Sequence, residues 1–273
     1  MPEGPEIRRE ADRIEAAIRG RRIEEVYFGL QRLTEWADAL TGATVEAVDT
    51  RGKALLTGFD NGYTLYSHNQ LYGKWMVRRR GVLPKTNRQL RVALHTAESS
   101  ALLYSASTIE VLPTECLPEF PPIARLGPDV LDATLGWKEV ALRLRDPKFS
   151  GRAVAALYLD QHFMAGVGNY LRSEVLFAAG VHPSARPKDL STGHIGRLAR
   201  ATLSISRRSY ETGGVTVPKA LAGRLKKEGL PRSAHRFSVF ARQGLPCHQC
   251  GETITRINAS SRRLYFCPRC QPE

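Results

Sequence analysis

Four cysteines near the end of the chain have the spacing of a metal site. The stretches "CHQC" at 247–250 and "CPRC" at 267–270 are two C-x2-C pairs separated by sixteen residues, as in four-cysteine zinc sites. Such a site leaves no open position for a reactive water, so its role is structural. The alternative is four buried, reduced thiols. We predict one structural Zn²⁺ bound by the four residues Cys247, Cys250, Cys267 and Cys270.

Two further stretches have residue types suited to nucleic acid. In "AGVGNYLRSEVLF", glycines precede a helix that starts near Asn169, and a helix N-terminus with free N–H groups favours an anion such as phosphate. In "SHNQLYGKW", Gln70, Leu71 and Tyr72 come just before a glycine at a strand-to-strand turn, where such side chains could wedge between stacked bases. The alternatives are that the glycines serve helix packing and that Leu71 and Tyr72 fold back onto the core.

The first residues raise a question of their own. "MPEGPEI" places Pro2 and Glu3 ahead of any regular element, and a terminus of this kind is usually frayed. From Pro5 onward, however, apolar residues recur at helical spacing up to Gly20, at Ile7, Ala11, Ile14 and Ile18. We therefore expect the first residues to abut a packed helix, with Glu6 as an acidic residue in its first turn.

The charge of the chain points to a polyanionic partner. The 273 residues include 40 Lys and Arg against 27 Asp and Glu, a net charge of +13, and an excess of this size favours nucleic acid. There is no apolar signal-peptide core and no run approaching the ~20 apolar residues that span a bilayer. Four of the five cysteines have metal-site spacing and Cys116 stands alone, which is not the pattern of a disulfide framework. We therefore expect an intracellular, cytoplasmic protein that does not bind membranes.

The elements that must position these residues change type near residue 125. Before it, apolar and polar residues alternate in short runs separated by Gly, Asn and Asp. This pattern predicts an antiparallel β-sandwich or barrel. After it, helical spacing predominates, for example in "GRAVAALYLDQHF" and "HIGRLARATLSISRRSY". The stretch 213–234 is rich in Gly and basic residues and is expected to be a mobile loop. Between the C-x2-C pairs, two runs of alternating apolar and polar residues lie on either side of a turn at 258–261, which predicts a β-hairpin.

Together these features resemble the Fpg/Nei family of DNA glycosylases, in particular its bacterial endonuclease VIII branch. The resemblance rests on the "MPEGPEI" start, Lys53 in "RGKALL", "QLY", the "AGVGNY" turn and the terminal cysteine pairs, in the family's order along essentially the whole chain. It implies an α+β fold whose parts are a β-sandwich catalytic domain with an N-terminal helix at 1–125, a connector at 126–132, a helix-two-turn-helix domain at 133–235 and a zinc β-hairpin at 236–273.

The resemblance also implies an activity: base-excision repair by a bifunctional DNA glycosylase and AP lyase. After removal of Met1, the secondary amine of Pro2 would attack C1′ of a damaged nucleotide and form a Schiff base. The resulting iminium would then drive β,δ-elimination. Glu3 would protonate the sugar or handle the proton of the amine, and Lys53 would act as an acid or hold the phosphate beside the lesion.

Further roles follow from the same resemblance. Asn169 and Arg262 are expected to contact phosphate, with Arg262 preferred over Arg263 and counted as catalytic, and Arg125 is a further candidate. Gln70, Leu71 and Tyr72 would fill the gap left by the flipped nucleotide. Because this three-residue wedge is typical of endonuclease VIII, oxidised pyrimidines are the expected lesions. The alternatives are an Fpg-type purine glycosylase and a non-catalytic zinc protein. The expected partner is damaged double-stranded DNA, bound by a monomer.

Overall fold

A computed structural model describes residues 2–273. The chain divides between Arg125 and Leu126 into two compact units. No helix within the described residues is both long and apolar enough to cross a membrane.

The first unit begins with a capped helix, α1 (Gly4–Ile18). Glu3 is the N-cap residue, and its backbone N–H donates to the Glu6 carboxylate at 3.1 Å, which satisfies one of the free donors at the helix start. The apolar positions Ile7, Ala11, Ile14 and Ile18 are all buried. The predicted helix is confirmed, and it starts one residue earlier than Pro5.

Eight strands of the first unit form two four-stranded antiparallel sheets. The strands are β1 (Glu25–Phe28), β2 (Val45–Arg51), β3 (Ala54–Phe59), β4 (Tyr63–His68), β5 (Lys74–Arg79), β6 (Leu90–His95), β7 (Ser99–Tyr104) and β8 (Thr108–Pro113). The sheet orders are β1-β6-β7-β5 and β2-β3-β4-β8. One apolar core contains side chains of both sheets and of α1, so the predicted sandwich is confirmed.

Short helices complete the first unit and lead into the second. They are α2 (Trp36–Leu40) and α3 (Pro121–Ala124). The second unit contains α4 (Trp137–Arg145), α5 (Pro147–Ser150), α6 (Val154–Leu157), α7 (Asn169–Ala179), α8 (Thr192–Thr212), α9 (Lys219–Lys227) and α10 (Arg232–Arg236). The helical interpretation of "GRAVAALYLDQHF" is wrong beyond one turn. The Asp160 carboxylate accepts from the His162 backbone N–H at 2.9 Å and from Arg152 at 2.6 Å, and such bonds stabilise a turn in place of a helix.

The basic stretch 213–234 is also not the loop that was predicted. Residues 219–227 form α9, and α10 begins at Arg232. The sequence "KALAGRLKK" is composed of good helix formers with a single glycine, and Leu225 is buried. The high content of Gly and Lys in the flanking residues concealed this amphipathic helix.

The chain ends in an antiparallel hairpin, β9 (Thr255–Ala259) and β10 (Arg262–Phe266). Ala259 pairs with Arg262, and the two loop residues between them, Ser260 and Ser261, both have positive φ, 54° and 58°. That combination matches a type I′ turn, whose twist fits the twist of the strands. The predicted hairpin and its turn are confirmed.

Candidate functional site

The two residues before α1 are held by the helix that follows them. Pro2 is partly exposed, whereas the Glu3 side chain is 3% exposed. Glu3 is the N-cap of a helix whose apolar face is in the core of the unit. Glu3 is therefore fixed in place, and its side-chain carboxyl group is withdrawn from bulk water.

Lys53 lies at the tip of the β2–β3 hairpin. Arg51 pairs with Ala54, so the loop consists of Gly52 and Lys53. Gly52 has φ +63°, the conformation that a type II′ turn requires at its first loop position. Burial, and next the positive charge of Lys53, lower the pKa of His68.

Contacts of α1 bring its first turns to this hairpin. The Arg8 guanidinium donates to Asp49 of β2 at 2.5 Å and to Asp12 at 2.8 Å. Asp49 lies in the β2 strand of the hairpin, four residues before Lys53. Arg8 lies five residues after Glu3, within two turns of α1. The structure thus brings the helix start and the Lys53 hairpin into one region of the first unit. His68, next to Lys53, was not among the residues that the sequence analysis selected.

The loop between β4 and β5 carries the predicted wedge. Gln70 has φ +49°, its Nε2 donates to Thr108 Oγ1 at 2.6 Å, and its Oε1 accepts from Ser107 Oγ at 3.1 Å. Both ends of its amide are therefore bound within the protein. Leu71 and Tyr72 are 58% and 69% exposed, so they are the loop members that present apolar surface outward.

The base of this loop is tightly closed. The Gly73 N–H donates to the Asn69 carbonyl at 2.7 Å, and a Cβ on Gly73 would lie 2.6 Å from Asn69 backbone atoms. Only glycine fits there. Arg88 donates to the Tyr72 carbonyl, which is a further anchor of the loop. Leu71 and Tyr72 are therefore held out in solvent by the hydrogen bonds that fix the loop.

In the second unit, the start of α7 is joined to the terminal hairpin. Gly168 is the N-cap of α7. The Asn169 Nδ2 donates to the Arg263 carbonyl at 2.7 Å, and its Oδ1 accepts from Arg172 at 2.6 Å. Arg172, which is fully buried, also donates to the carbonyls of Ala155 and Ala259, at 2.8 and 3.3 Å. The structure brings Asn169 and the hairpin together.

The predicted phosphate-binding arginines are exposed. Arg262 and Arg263 are neighbours at the start of β10, and adjacent strand residues point to opposite faces. Only one of the two can therefore face a given phosphate. Arg125 is exposed at the end of α3 in the first unit.

The four predicted cysteine ligands converge at the open end of the hairpin. Their sulfur atoms all lie within 4.8 Å of one another, with 3.9 Å between Cys247 and Cys270 and 3.4 Å between Cys250 and Cys267. Tetrahedral zinc with bonds of about 2.3 Å requires sulfur separations of about 3.8 Å. Desolvation raises the pKa of Cys267 and Cys270, and a bound cation would oppose this shift by stabilising their thiolates. The geometry fits zinc, and Cys116 is exposed elsewhere.

Comparison with known proteins finds matching domains along nearly the whole chain. Residues 1–107 match the formamidopyrimidine-DNA glycosylase N-terminal domain, 126–220 its H2TH domain, and 244–272 the zinc finger found in FPG and IleRS. The chain is 49% identical over 271 residues to Endonuclease 8 of Salmonella agona, covering 99% of this chain and 100% of the relative. The chain belongs to the Fpg/Nei family of DNA glycosylases and AP lyases.

Other comparisons agree with the family assignment. Endonuclease 8 of Salmonella enteritidis is 48% identical with the same coverage. Lactococcus lactis Fpg in complex with an N7-benzyl-Fapy-dG DNA has a TM-score of 0.82 at 23% identity and full coverage of both chains, as does its complex with an oxidised-pyrimidine DNA. The α+β fold, the Fpg/Nei resemblance, the enzyme class and the structural zinc are confirmed.

One buried acid of this glycosylase binds residues that are distant in the sequence. Glu174 of α7 is 1% exposed. Its carboxylate accepts from the backbone N–H groups of Ser238, Val239 and Phe240 at 2.8–2.9 Å and from the Thr216 hydroxyl at 2.6 Å. Thr216 precedes α9, and the other three partners follow α10. Glu174 therefore fixes the two ends of the basic stretch. The partners are 42 to 66 residues away, so no local pattern could reveal them.

Proposed function

We propose that this enzyme excises oxidised pyrimidines from double-stranded DNA and cleaves the resulting abasic site by β,δ-elimination, with the Pro2 amine as nucleophile. The observation that supports this most directly is the position of Pro2 and Glu3. They precede a capped, packed helix, and Glu3 is 3% exposed. A nucleophile and a proton-transfer group both need fixed positions, because misplacement of a catalytic group by about 1 Å costs orders of magnitude in rate.

The nucleophile requires loss of Met1, which lies outside the described residues. The small side chain of Pro2 permits removal of the initiator methionine and leaves a secondary amine. The amine attacks C1′ as the base departs. Glu3 then protonates the ring oxygen, so that the C1′–O4′ bond breaks and the sugar opens to an iminium. Because the amine is secondary, the iminium that forms cannot lose a nitrogen-bound proton to become a neutral imine. It stays an electron sink.

Elimination follows from this charge. The iminium acidifies the C2′ proton, whose loss expels the 3′ phosphate, and a second elimination expels the 5′ phosphate. Lys53 holds or protonates the phosphate beside the lesion. The pKa of His68 is lowered by burial and by the Lys53 charge, which keeps a neutral imidazole next to the ammonium.

Contacts with DNA are assigned to both units. Leu71 and Tyr72, the exposed residues of the loop, fill the gap left by the flipped nucleotide, and Gln70 holds the loop in shape through Ser107 and Thr108. Arg262, Asn169 and Arg125 contact phosphates. The bonds of Asn169 to Arg263 and Arg172 leave one amide hydrogen for such a contact, because an Asn NH₂ group has two donors.

The lesion class is inferred from the wedge. A contiguous Gln-Leu-Tyr loop is the endonuclease VIII pattern, and the Endonuclease 8 relatives cover the full chain. The net charge of +13 favours duplex DNA, which has the denser phosphate charge. We further propose that the enzyme acts as a monomer in the bacterial cytoplasm, bound to the nucleoid.

Borohydride trapping tests the nucleophile. Reduction should trap a covalent complex with duplex DNA that contains an oxidised pyrimidine or an abasic site, and peptide mapping should place the attachment at Pro2. Intact-mass measurement should show that Met1 is absent. Attachment at Lys53 or any other lysine would show that the amine assignment is wrong. More efficient trapping on 8-oxoguanine DNA than on oxidised-pyrimidine DNA would favour the Fpg-type alternative.

A further inference from the structure

A carboxyl group of α1 holds the base of the β4–β5 loop. The Asn69 Nδ2 donates to Glu10 Oε2 at 2.6 Å, and Glu10 and Trp75 line the same groove. Asn69 is the first residue of the loop, and Trp75 lies in β5 just after it. One acid of the helix that begins after Pro2 and Glu3 thus binds the first residue of the loop that carries Leu71 and Tyr72 and lies close to the strand that follows the loop.

The amide of Asn69 is only half satisfied. Asn69 is 2% exposed, and no residue of the described chain donates a hydrogen bond to its Oδ1. A buried acceptor without a donor is unfavourable. An ionised carboxylate cannot relieve this, because it only accepts hydrogen bonds, whereas a protonated carboxyl group also donates one.

We propose that Glu10 is a positioning residue for the wedge: its carboxyl group is protonated when the loop is closed, and this proton bonds Asn69 Oδ1. The acid and the amide then form a two-bond pair at the base of the loop. That the loop acts as a wedge rests on the proposed function. The pairing itself rests only on contacts within the first unit.

The electrostatic surroundings agree with a protonated acid. Burial raises the pKa of Glu10 to about 7, against smaller opposing effects of its hydrogen bonds and of nearby cations. The acid lies in an open groove of about 550 Å³, and the charged residues that line this groove with it are Arg13 of α1, Lys74 and Arg78 of β5, and Lys85 and Arg88 of the next loop. All of these favour ionisation, so the proton is retained by desolvation and, in the proposed pair, by its bond to Asn69 Oδ1.

The direction of the pH effect follows from this pKa. In an open loop, Glu10 would be solvated and titrate near its ordinary value of 4.5, whereas in the closed loop its pKa is about 7. The closed loop therefore binds the proton more tightly, and closure weakens as pH rises above 4.5 and levels off only once pH is well above 7. These two values give a fall in the closed-to-open ratio of about tenfold between pH 6 and 8.5.

Hydrogen exchange without DNA tests the pairing. The Gly73 N–H bonds to the Asn69 carbonyl, so its protection factor reports closure of the loop base. In the wild type this factor should fall about tenfold from pH 6 to 8.5. Glu10→Gln, whose amide both donates and accepts, should keep the protection independent of pH. Glu10→Ala should show low protection at every pH. Glu15→Gln, at a half-buried acid of the same helix that pairs with Arg8 and Arg19 and not with Asn69, should behave as wild type.

Excision assays test the consequence for the wedge. The ratio of duplex to single-strand excision reports the wedge, because single strands have less stacking to replace. This ratio should fall as pH rises in the wild type and in Glu15→Gln. It should be independent of pH in Glu10→Gln, and low at every pH in Glu10→Ala.

Two results would overturn the inference: Gly73 protection that depends equally on pH in wild type and Glu10→Gln, or an NMR titration of the Glu10 carboxyl near 4.5. If exchange behaves as expected while wild type excises no lesion, the proposed function fails and the pairing stands.

Discussion

Replacement of Glu174 by glutamine should loosen the segment around residues 238–240 without removing any apolar contact. The carboxylate accepts four hydrogen bonds: Oε2 binds the Ser238 N–H and the Thr216 hydroxyl, and Oε1 binds the Val239 and Phe240 N–H groups. In the amide, an NH₂ group takes the place of one oxygen. The least costly orientation points this NH₂ group toward Thr216, whose hydroxyl can accept, and leaves the Ser238 N–H facing a donor.

The magnitude follows from these contacts. A hydrogen bond to a charged group contributes about 1.5–3 kcal/mol and a neutral one about 1 kcal/mol. Loss of one charge-assisted bond, together with weakening of the rest, gives a net cost of about 3 kcal/mol after partial relaxation. In native-state hydrogen exchange, this corresponds to roughly 150-fold faster exchange of the amides of residues 238–240.

The assay compares Glu174→Gln with Glu211→Gln, a change at an exposed acid near the end of α8. The control should leave exchange at 238–240 unchanged. If Glu174→Gln also leaves it unchanged while excision of one oxidised base falls selectively, Glu174 recognises the base and the structural reasoning is wrong.

Four further outcomes are expected. Glu3→Gln should reduce base excision at least tenfold more than cleavage of a preformed abasic site, because the glycosidic bond is already broken there; equal losses in the two gel assays would contradict this role. Cys250→Ser should lose zinc by metal analysis together with DNA binding, since zinc hairpins depend on their metal for folding; full zinc occupancy would contradict the ligand assignment. Arg262→Ala should weaken binding to damaged and undamaged DNA alike and lower the slope of log K against log salt by about 0.9, one phosphate contact; Arg263→Ala is the matched control. Leu71→Ala should keep that slope and lower the ratio of duplex to single-strand excision, and an unchanged ratio would make Leu71 a residue of structural importance only.

Features encoded in adjacent residues were predictable from the sequence. The C-x2-C pairs, the helix after Pro5 and the hairpin turn at Ser260–Ser261 each depend on local spacing or chemistry, and the structure has all three. The amphipathic character of residues 219–227 was equally local, but the flanking Gly and Lys obscured it.

Features that depend on distant partners were not predictable. Gln70 could be recognised as a turn residue, but its bonds to Ser107 and Thr108 join positions 37 and 38 residues apart. Glu10 meets Asn69 across 59 residues. In both cases the side chain is polar and unremarkable in its local context, and only the fold reveals what it binds.

The way in which α7 holds the zinc hairpin limits how this enzyme can diverge. Asn169 and Arg172 bind the hairpin through the carbonyl oxygens of Arg263 and Ala259, and every residue type carries such an oxygen. The side chains on the outer face of the hairpin can therefore change in evolution, or in a library, without loss of docking. Arg172 has no such freedom, because a lysine ammonium cannot span the carbonyls and the amide that the planar guanidinium reaches. Variation in DNA contacts should thus accumulate on the hairpin surface, while the buried arginine stays fixed.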